Sequence, residues 1–205
     1  MVIFRSPERL AWGALDLPIL GEGQDWHGLP FWPPVGYSLA IDPEWLWFIA
    51  GRNKPAQPHP DSSPGLFKAQ LWRHDVAELF LAEPGGGRYL EFNLAPNAAW
   101  WSCVFNGPRM RVFDKDIPLA GVGTWATLAA DGSWMAAAAL PLETLRETIG
   151  FDENSTANVA FILKAPDQRY ISVADLGGGE PDFHRPDKFE PLEIQPLPAL
   201  SEAVG

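Results

Sequence analysis

The chain has 205 residues, 46% of them hydrophobic, with ten Trp and twelve Phe. This excludes a disordered, solvated chain and suffices for a core without metal or disulfide staples. A net charge of −11, with the fifteen basic residues scattered, excludes the concentrated Lys/Arg face that a nucleic-acid partner needs.

The single cysteine, Cys103, rules out an intramolecular disulfide. It lies in the apolar run Trp100–Phe105 and is expected to be a buried, inert thiol. Met1–Arg9 has no apolar run after a basic start, so no secretory signal is expected, and the expected compartment is the cytoplasm. No stretch approaches the ~18 uninterrupted apolar residues of a membrane-spanning helix, so no membrane partner is expected.

In chain order, period-two alternation predicts strands near Tyr37–Ile41, Leu46–Gly51, Val76–Ala82, Tyr89–Ala95 and Trp100–Phe105. It continues near Trp125–Ala130, Ser133–Leu140, Asn158–Lys164 and Tyr170–Ala174, with a weak strand near Leu192–Ile194. Pro84-Gly85-Gly86-Gly87 predicts a hairpin between the third and fourth strands, and Asp131-Gly132 another. One short helix is expected over Pro141–Ile149, closed by Gly150, with Leu142, Leu145 and Ile149 on one face. Two long segments, Arg52–Gln70 and Leu176–Lys188, fit no strand, and loops of that length are usually functional or mobile. The first forty residues contribute little to the pattern. The expected architecture is all-β: a single domain over residues 1–205, an antiparallel β-sandwich of immunoglobulin-like or jelly-roll type with one short helix.

The densest chemistry lies on the third and fourth strands. Ala77, Leu79 and Leu81 share one face, and Glu78 lies on the other. In the partner strand Leu90, Phe92 and Leu94 share one face, and Tyr89, Glu91 and Asn93 the other. Pairing brings Glu78, Glu91 and Asn93 onto one face beside Tyr89. The residues alone favour the plain reading, that this is the solvent face of an antiparallel sheet. A binding site is the other reading, because mid-strand carboxyls are costly to bury without partners. Trp72, just before the strand, is singled out as a loop aromatic, whereas Trp45, Trp47, Trp101, Trp125 and Trp134 are expected in the core. Arg109 and Arg111 suit either an anionic ligand or plain surface. Asp182 and His184 stand at acid–base spacing in the second long loop, with no nucleophile motif beside them.

The spacing Trp72, Asp75, Glu78, Phe80, then a glycine turn and Tyr89, Glu91, Phe92, then Pro181-Asp182-Phe183-His184, Pro186 and Phe189 resembles the DOMON-like group related to family 9 carbohydrate-binding modules. The resemblance runs from about Trp45 onward and implies a β-sandwich without catalytic activity. In sugar-binding members two aromatic rings sandwich a terminal sugar while a Glu and nearby polar groups bind its hydroxyls. By motif position Trp72 matches the first ring and Glu78 the acidic hydrogen-bonder. Asn93 stands where those members carry a basic residue, and Phe183 where they carry a second Trp.

The resulting expectation is a non-catalytic module binding a sugar or other small molecule with Trp72, Glu78, Asn93, Phe183, Glu91 and His184, and with no cofactor. Calcium, common in the related modules, stays open, with Asp61, Asp114 and Asp116 as loop candidates lacking diagnostic spacing. A protein-interaction domain remains an alternative. So does a glycoside-processing enzyme using Glu78, Glu91 or Asp182/His184 as acid and base. Haem binding, known in some DOMON relatives, has the least behind it; His74 and Met110 are its only candidate axial pair.

Overall fold

Alternation along the central strands sets the layering. In Val76–Ala82 and Tyr89–Leu94, Leu79, Leu81, Leu90, Phe92 and Leu94 point one way and are fully buried. A face so apolar needs a second sheet against it, and the chain supplies one.

The computed structural model describes residues 1–164 and 167–198, so residues 165–166 and 199–205 of the expected domain lie outside the description. Among the described residues one sheet holds β1 (Val2–Arg5), β2 (Leu20–Gln24), β3 (Pro30–Ile41), β4 (Trp45–Arg52), β8 (Gly123–Leu128), β9 (Trp134–Pro141) and β13 (Glu193–Pro196). Its order is β13-β1-β3-β4-β9-β8, with β2 paired to β3. The other holds β5 (Val76–Ala82), β6 (Tyr89–Leu94), β7 (Trp100–Phe105), β10 (Thr156–Leu163), β11 (Arg169–Ser172) and β12 (Glu190–Pro191). Its order is β11-β10-β5-β6-β7, with β12 also on β10. All pairings are antiparallel except β1 with β3 and with β13. The fold is thus the expected all-β sandwich.

The inner faces form the main core, where Leu39, Phe48, Leu79, Phe92 and Phe161 lie among its fully buried side chains. The alanine run of β9 has a steric reason. Ala137 lies opposite Trp125 and Ala139 opposite Trp47 on the outer face of the first sheet, and small residues leave room for the two indoles to stack at 5.5 Å. Residues of the 10–17 segment, Trp12 included, cover that face.

Helix α1 (Leu142–Ile149) lies where expected and buries Leu142, Leu145 and Ile149. Gly150 closes it at φ +61°, a conformation glycine adopts without steric cost. Among the described residues no helix is long and apolar enough to cross a membrane.

The first forty residues depart from expectation. They supply β1, β2 and all but the last residue of β3. Pro30, Pro33 and Pro34 in β3, with Gly21 and Gly23 in β2, resemble turn punctuation in sequence. At a sheet margin, where fewer ladder donors are needed, such residues are tolerated.

Candidate functional site

The turn after β5 is tight because Gly85, Gly86 and Gly87 all take positive φ and Arg88 N–H donates to Glu83 Oε1 at 2.8 Å. It sets the register that aligns Glu78 with Asn93 on β6 and Trp101 on β7 in one row across three strands. The next row holds Phe80, Glu91 and Cys103. All of these sit on the outer face of the second sheet.

That face is not solvent-exposed, and here the solvent-face reading fails. Glu78 is 3% exposed, Glu91 5% and Asn93 0%. The cover is a strap, residues 174–189, whose Leu176, Phe183 and Phe189 join Phe80, Tyr89 and Trp101 in a second core. Phe80 is its hub, with ring contacts to Phe183 (6.3 Å), His184 (5.7 Å) and Phe189 (5.6 Å). Arg185 pins the strap by donating to the carbonyls of Leu176 (2.7 Å), Gly177 (3.3 Å) and Gly178 (3.1 Å). Trp26, from the loop between β2 and β3, donates Nε1–H to Gly179 O at 2.8 Å and packs on Phe183 at 5.8 Å. Asp75 fastens the other side, since its carboxylate accepts the backbone N–H of Gln57 (2.7 Å) and of Lys164.

Between strap and sheet a pocket of about 390 Å³ remains, within the size range of small-molecule sites. Glu78, Glu91, Trp101, Phe105, Ile162 and Tyr170 contribute to it from the sheet. Pro181, Phe183 and His184 contribute from the strap, and Arg109 and Arg111 from the segment after β7. Trp72, 45% exposed in the short 3-10 turn Leu71–Arg73, completes the rim, with the Arg73 guanidinium 5.1 Å from its ring centre.

Five of the six expected site residues therefore meet at one pocket. Asn93 does not line it but lies in the row between Glu78 and Trp101, fully buried. Trp101, expected in the core, lines the pocket with its ring otherwise buried. Phe105, Ile162 and Tyr170 carried no signal in the sequence, although Trp101 and Phe105 share the face of Asn93 and Tyr89 once the β6–β7 pairing is known. Arg109 and Arg111 line the pocket while remaining exposed.

The polar groups are unevenly satisfied. Tyr89 hydroxyl lies 2.7 Å from His184 Nδ1 and accepts Arg109 N–H at 3.2 Å. With the hydroxyl donating to Nδ1, the proton of a neutral imidazole would sit on Nε2, 3.6 Å from Glu91 Oε2. That is too long for a hydrogen bond. Burial and the nearby Arg109 push His184 down to about 4, so it is neutral at pH 7. Burial raises Tyr89 to about 12.

Glu78 is raised well above its ordinary value by burial and then by Glu91. Glu91 is raised to about 7 by burial, with Asn93 and the two arginines opposing. Glu78 Oε1 and Trp101 Nε1 complete no hydrogen bond among the described residues, and the Asn93 amide falls short of full hydrogen-bond geometry although it acts on the Glu91 carboxylate. Burial also pushes the Cys103 thiol up, although Arg111 Nε donates to it at 3.2 Å.

The expected acid–base pair needs correction. Asp182 and His184 do not form an acid–base pair, because Asp182 accepts the backbone N–H of His184 (3.0 Å) and the Arg109 guanidinium (2.8 Å) while the imidazole turns to Tyr89. The calcium candidates are not gathered. Asp61 faces Lys68 at 3.8 Å, Asp116 pairs with Arg111, and no three His, Cys, Asp or Glu side chains among the described residues group as a metal would require. His74 packs edge-on against His59 at 4.8 Å, and Met110 is exposed in the turn after β7.

No family model matches the chain. It is 26% identical over 148 residues to the UPF0462 protein C4orf33 homolog of Mus musculus, covering 68% of this chain and 71% of that protein. The Rattus norvegicus homolog is 25% identical over the same length. Among solved structures it is similar to a Bacteroides uniformis protein described as a candidate carbohydrate-binding protein. The TM-score is 0.69 at 16% identity, over 95% of this chain and 98% of that one. It is also similar to a family 9 carbohydrate-binding module of Caldicellulosiruptor kristjanssonii in complex with glucose, with TM-score 0.62 at 13% identity over 96% and 97% of the chains. At such identities the likeness establishes the fold.

Proposed function

We propose that this protein is a non-catalytic binding module whose strap-covered pocket takes a sugar, or a small molecule with a sugar's alternation of apolar faces and hydroxyls. The observation that carries this reading is the pair of buried, unpartnered polar atoms, Glu78 Oε1 and Trp101 Nε1, on the wall of an aromatic-lined pocket. Buried polar groups are costly when unpaired. A ligand bearing both donors and acceptors pairs them, while its apolar ring face packs on Trp72. The fold shared with a module seen in complex with glucose supports the same reading.

Binding is favoured over catalysis by a chemical argument. Glycoside hydrolysis divides its work between one carboxyl kept protonated and another kept ionised. Here burial pushes Glu78 and Glu91 in the same direction.

The test is titration calorimetry of the protein and of Trp72→Ala against monosaccharides and disaccharides, with a thermal melt of each protein. The reading expects binding by the wild type, a loss of at least about tenfold (about 1.4 kcal/mol) in the variant, and matching melts. A variant that binds unchanged, or that unfolds, removes Trp72 from the site. Absence of binding to every sugar refutes the reading.

A further inference from the structure

The charges around the pocket are not evenly matched. Each arginine there has a carboxylate of its own, Arg109 with Asp182 at 2.8 Å and Arg111 with Asp116. Glu78 and Glu91 have no Lys or Arg ion pair among the described residues; Arg109 acts on both, and Arg111 on Glu91, from farther away. Glu78 Oε1 is buried, unpartnered and on the pocket wall. Glu91 has only neutral neighbours at close range, His184 at 3.6 Å and the Asn93 amide. Two buried carboxyls on one sheet face therefore share a pocket walled by Trp72, Trp101, Phe105, Tyr170 and Phe183.

Carboxyl oxygens short of donors bind most strongly to a donor that carries positive charge. The faces of Trp and Tyr rings attract the same kind of group. A neutral sugar brings hydroxyl donors and no charge, and an acidic sugar would set a third carboxylate against the two already present.

We infer that the pocket is built for a sugar bearing a free amine, with the ammonium group held by Glu78 and Glu91 and the ring face lying on Trp72. This rests on the sugar-binding reading above and narrows its ligand class. It also fixes a proton balance. The ionisable groups around the pair are Arg109 and Arg111 after β7, Asp182 and His184 on the strap, Tyr89 on β6 and Cys103 on β7. The arginines stay charged, and His184 and Tyr89 stay neutral near pH 7. Asp182 is ionised and bound to Arg109. An arriving ammonium ion stabilises the ionised form of the two glutamates, so protons leave Glu78 and Glu91 when it binds.

The experiment is titration calorimetry of the full chain with glucosamine, glucose, N-acetylglucosamine and glucuronate near neutral pH, in two buffers of different ionisation enthalpy. The expected result is glucosamine binding at least about tenfold more tightly than the other three, with proton release seen only for glucosamine. Glu78→Gln and Glu91→Gln, each checked by thermal melting, are expected to erase the preference. If either variant fails to fold, the wild-type ranking decides alone. Glucose or N-acetylglucosamine binding as tightly as glucosamine, or glucuronate preferred, overturns the amine and leaves the sugar reading standing. No binding by any of the four removes both.

Discussion

Replacing Glu91 by Gln should change how stability depends on pH. Between pH 4.5 and about 7 the folded protein holds a proton on Glu91 that the unfolded chain releases, so this group's contribution falls as pH rises. Glu78, raised well above its ordinary value, acts in the same direction over the same window. His184 acts oppositely. It is neutral in the fold down to about 4 but protonates in the unfolded chain below 6.5, so its contribution rises with pH across that interval. Removing the Glu91 carboxyl takes away one falling term, about 1.4 kcal/mol per pH unit between about pH 5 and about pH 6.5. Over that range the stability of Glu91→Gln should therefore fall less with pH than that of the wild type, by about 2 kcal/mol in all. Gln keeps the size of the side chain and an oxygen facing His184, so packing is preserved. Urea unfolding followed by the fluorescence of the ten Trp measures both slopes. A variant slope equal to that of the wild type would show that Glu91 does not hold its proton in the fold, and the reasoning about the pocket's electrostatics would fall with it.

Asp75→Ala strips two backbone N–H groups of a charged acceptor, and urea unfolding should register a loss of about 3 kcal/mol; a loss under about 1 kcal/mol would mean the staple is not holding. Phe80→Ala empties the hub under the strap and should cost about 3–5 kcal/mol by the same assay, with sugar binding weakened because Phe183 and His184 lose their support. Gly150→Ala forces a Cβ into a left-handed conformation and should cost about 1 kcal/mol while leaving binding unchanged; altered binding would mean that α1 communicates with the pocket.

Central strands and the helix were legible because their signals are local. Period-two alternation around Leu79 and Phe92, a glycine reversal between them, and Leu142, Leu145 and Ile149 at helical spacing all act within a few residues. The meaning of the Glu78 face was not local. Whether a polar strand face meets water or a covering segment depends on His184 and Phe183, and the Tyr89–His184 hydrogen bond spans 95 positions. Alternation looks the same in either case. What pointed to one place was the resemblance to family 9 carbohydrate-binding modules that Trp72, Glu78, Glu91 and Phe183 carry together. Trp101 escaped because an indole in an apolar strand has the pattern of core, and nothing in the sequence tells that its N–H is left without an acceptor. The N-terminal strands escaped because prolines at a sheet margin carry the same signal as prolines in a turn.

The division of labour between sheet and strap has a bearing on how such a protein changes over generations. The pocket's floor is fixed by strand register, where a one-residue slip would turn every side chain over. Its wall is held by one guanidinium gripping the strap's own carbonyls and by a Trp N–H from a neighbouring loop. Those anchors grip main-chain atoms and are indifferent to the side chains displayed between them. Positions 181 and 182 can therefore be rewritten while Phe183 stays packed on Phe80 and the sandwich beneath stays as it is, which leaves a lineage free to exchange one ligand for another without refounding its fold.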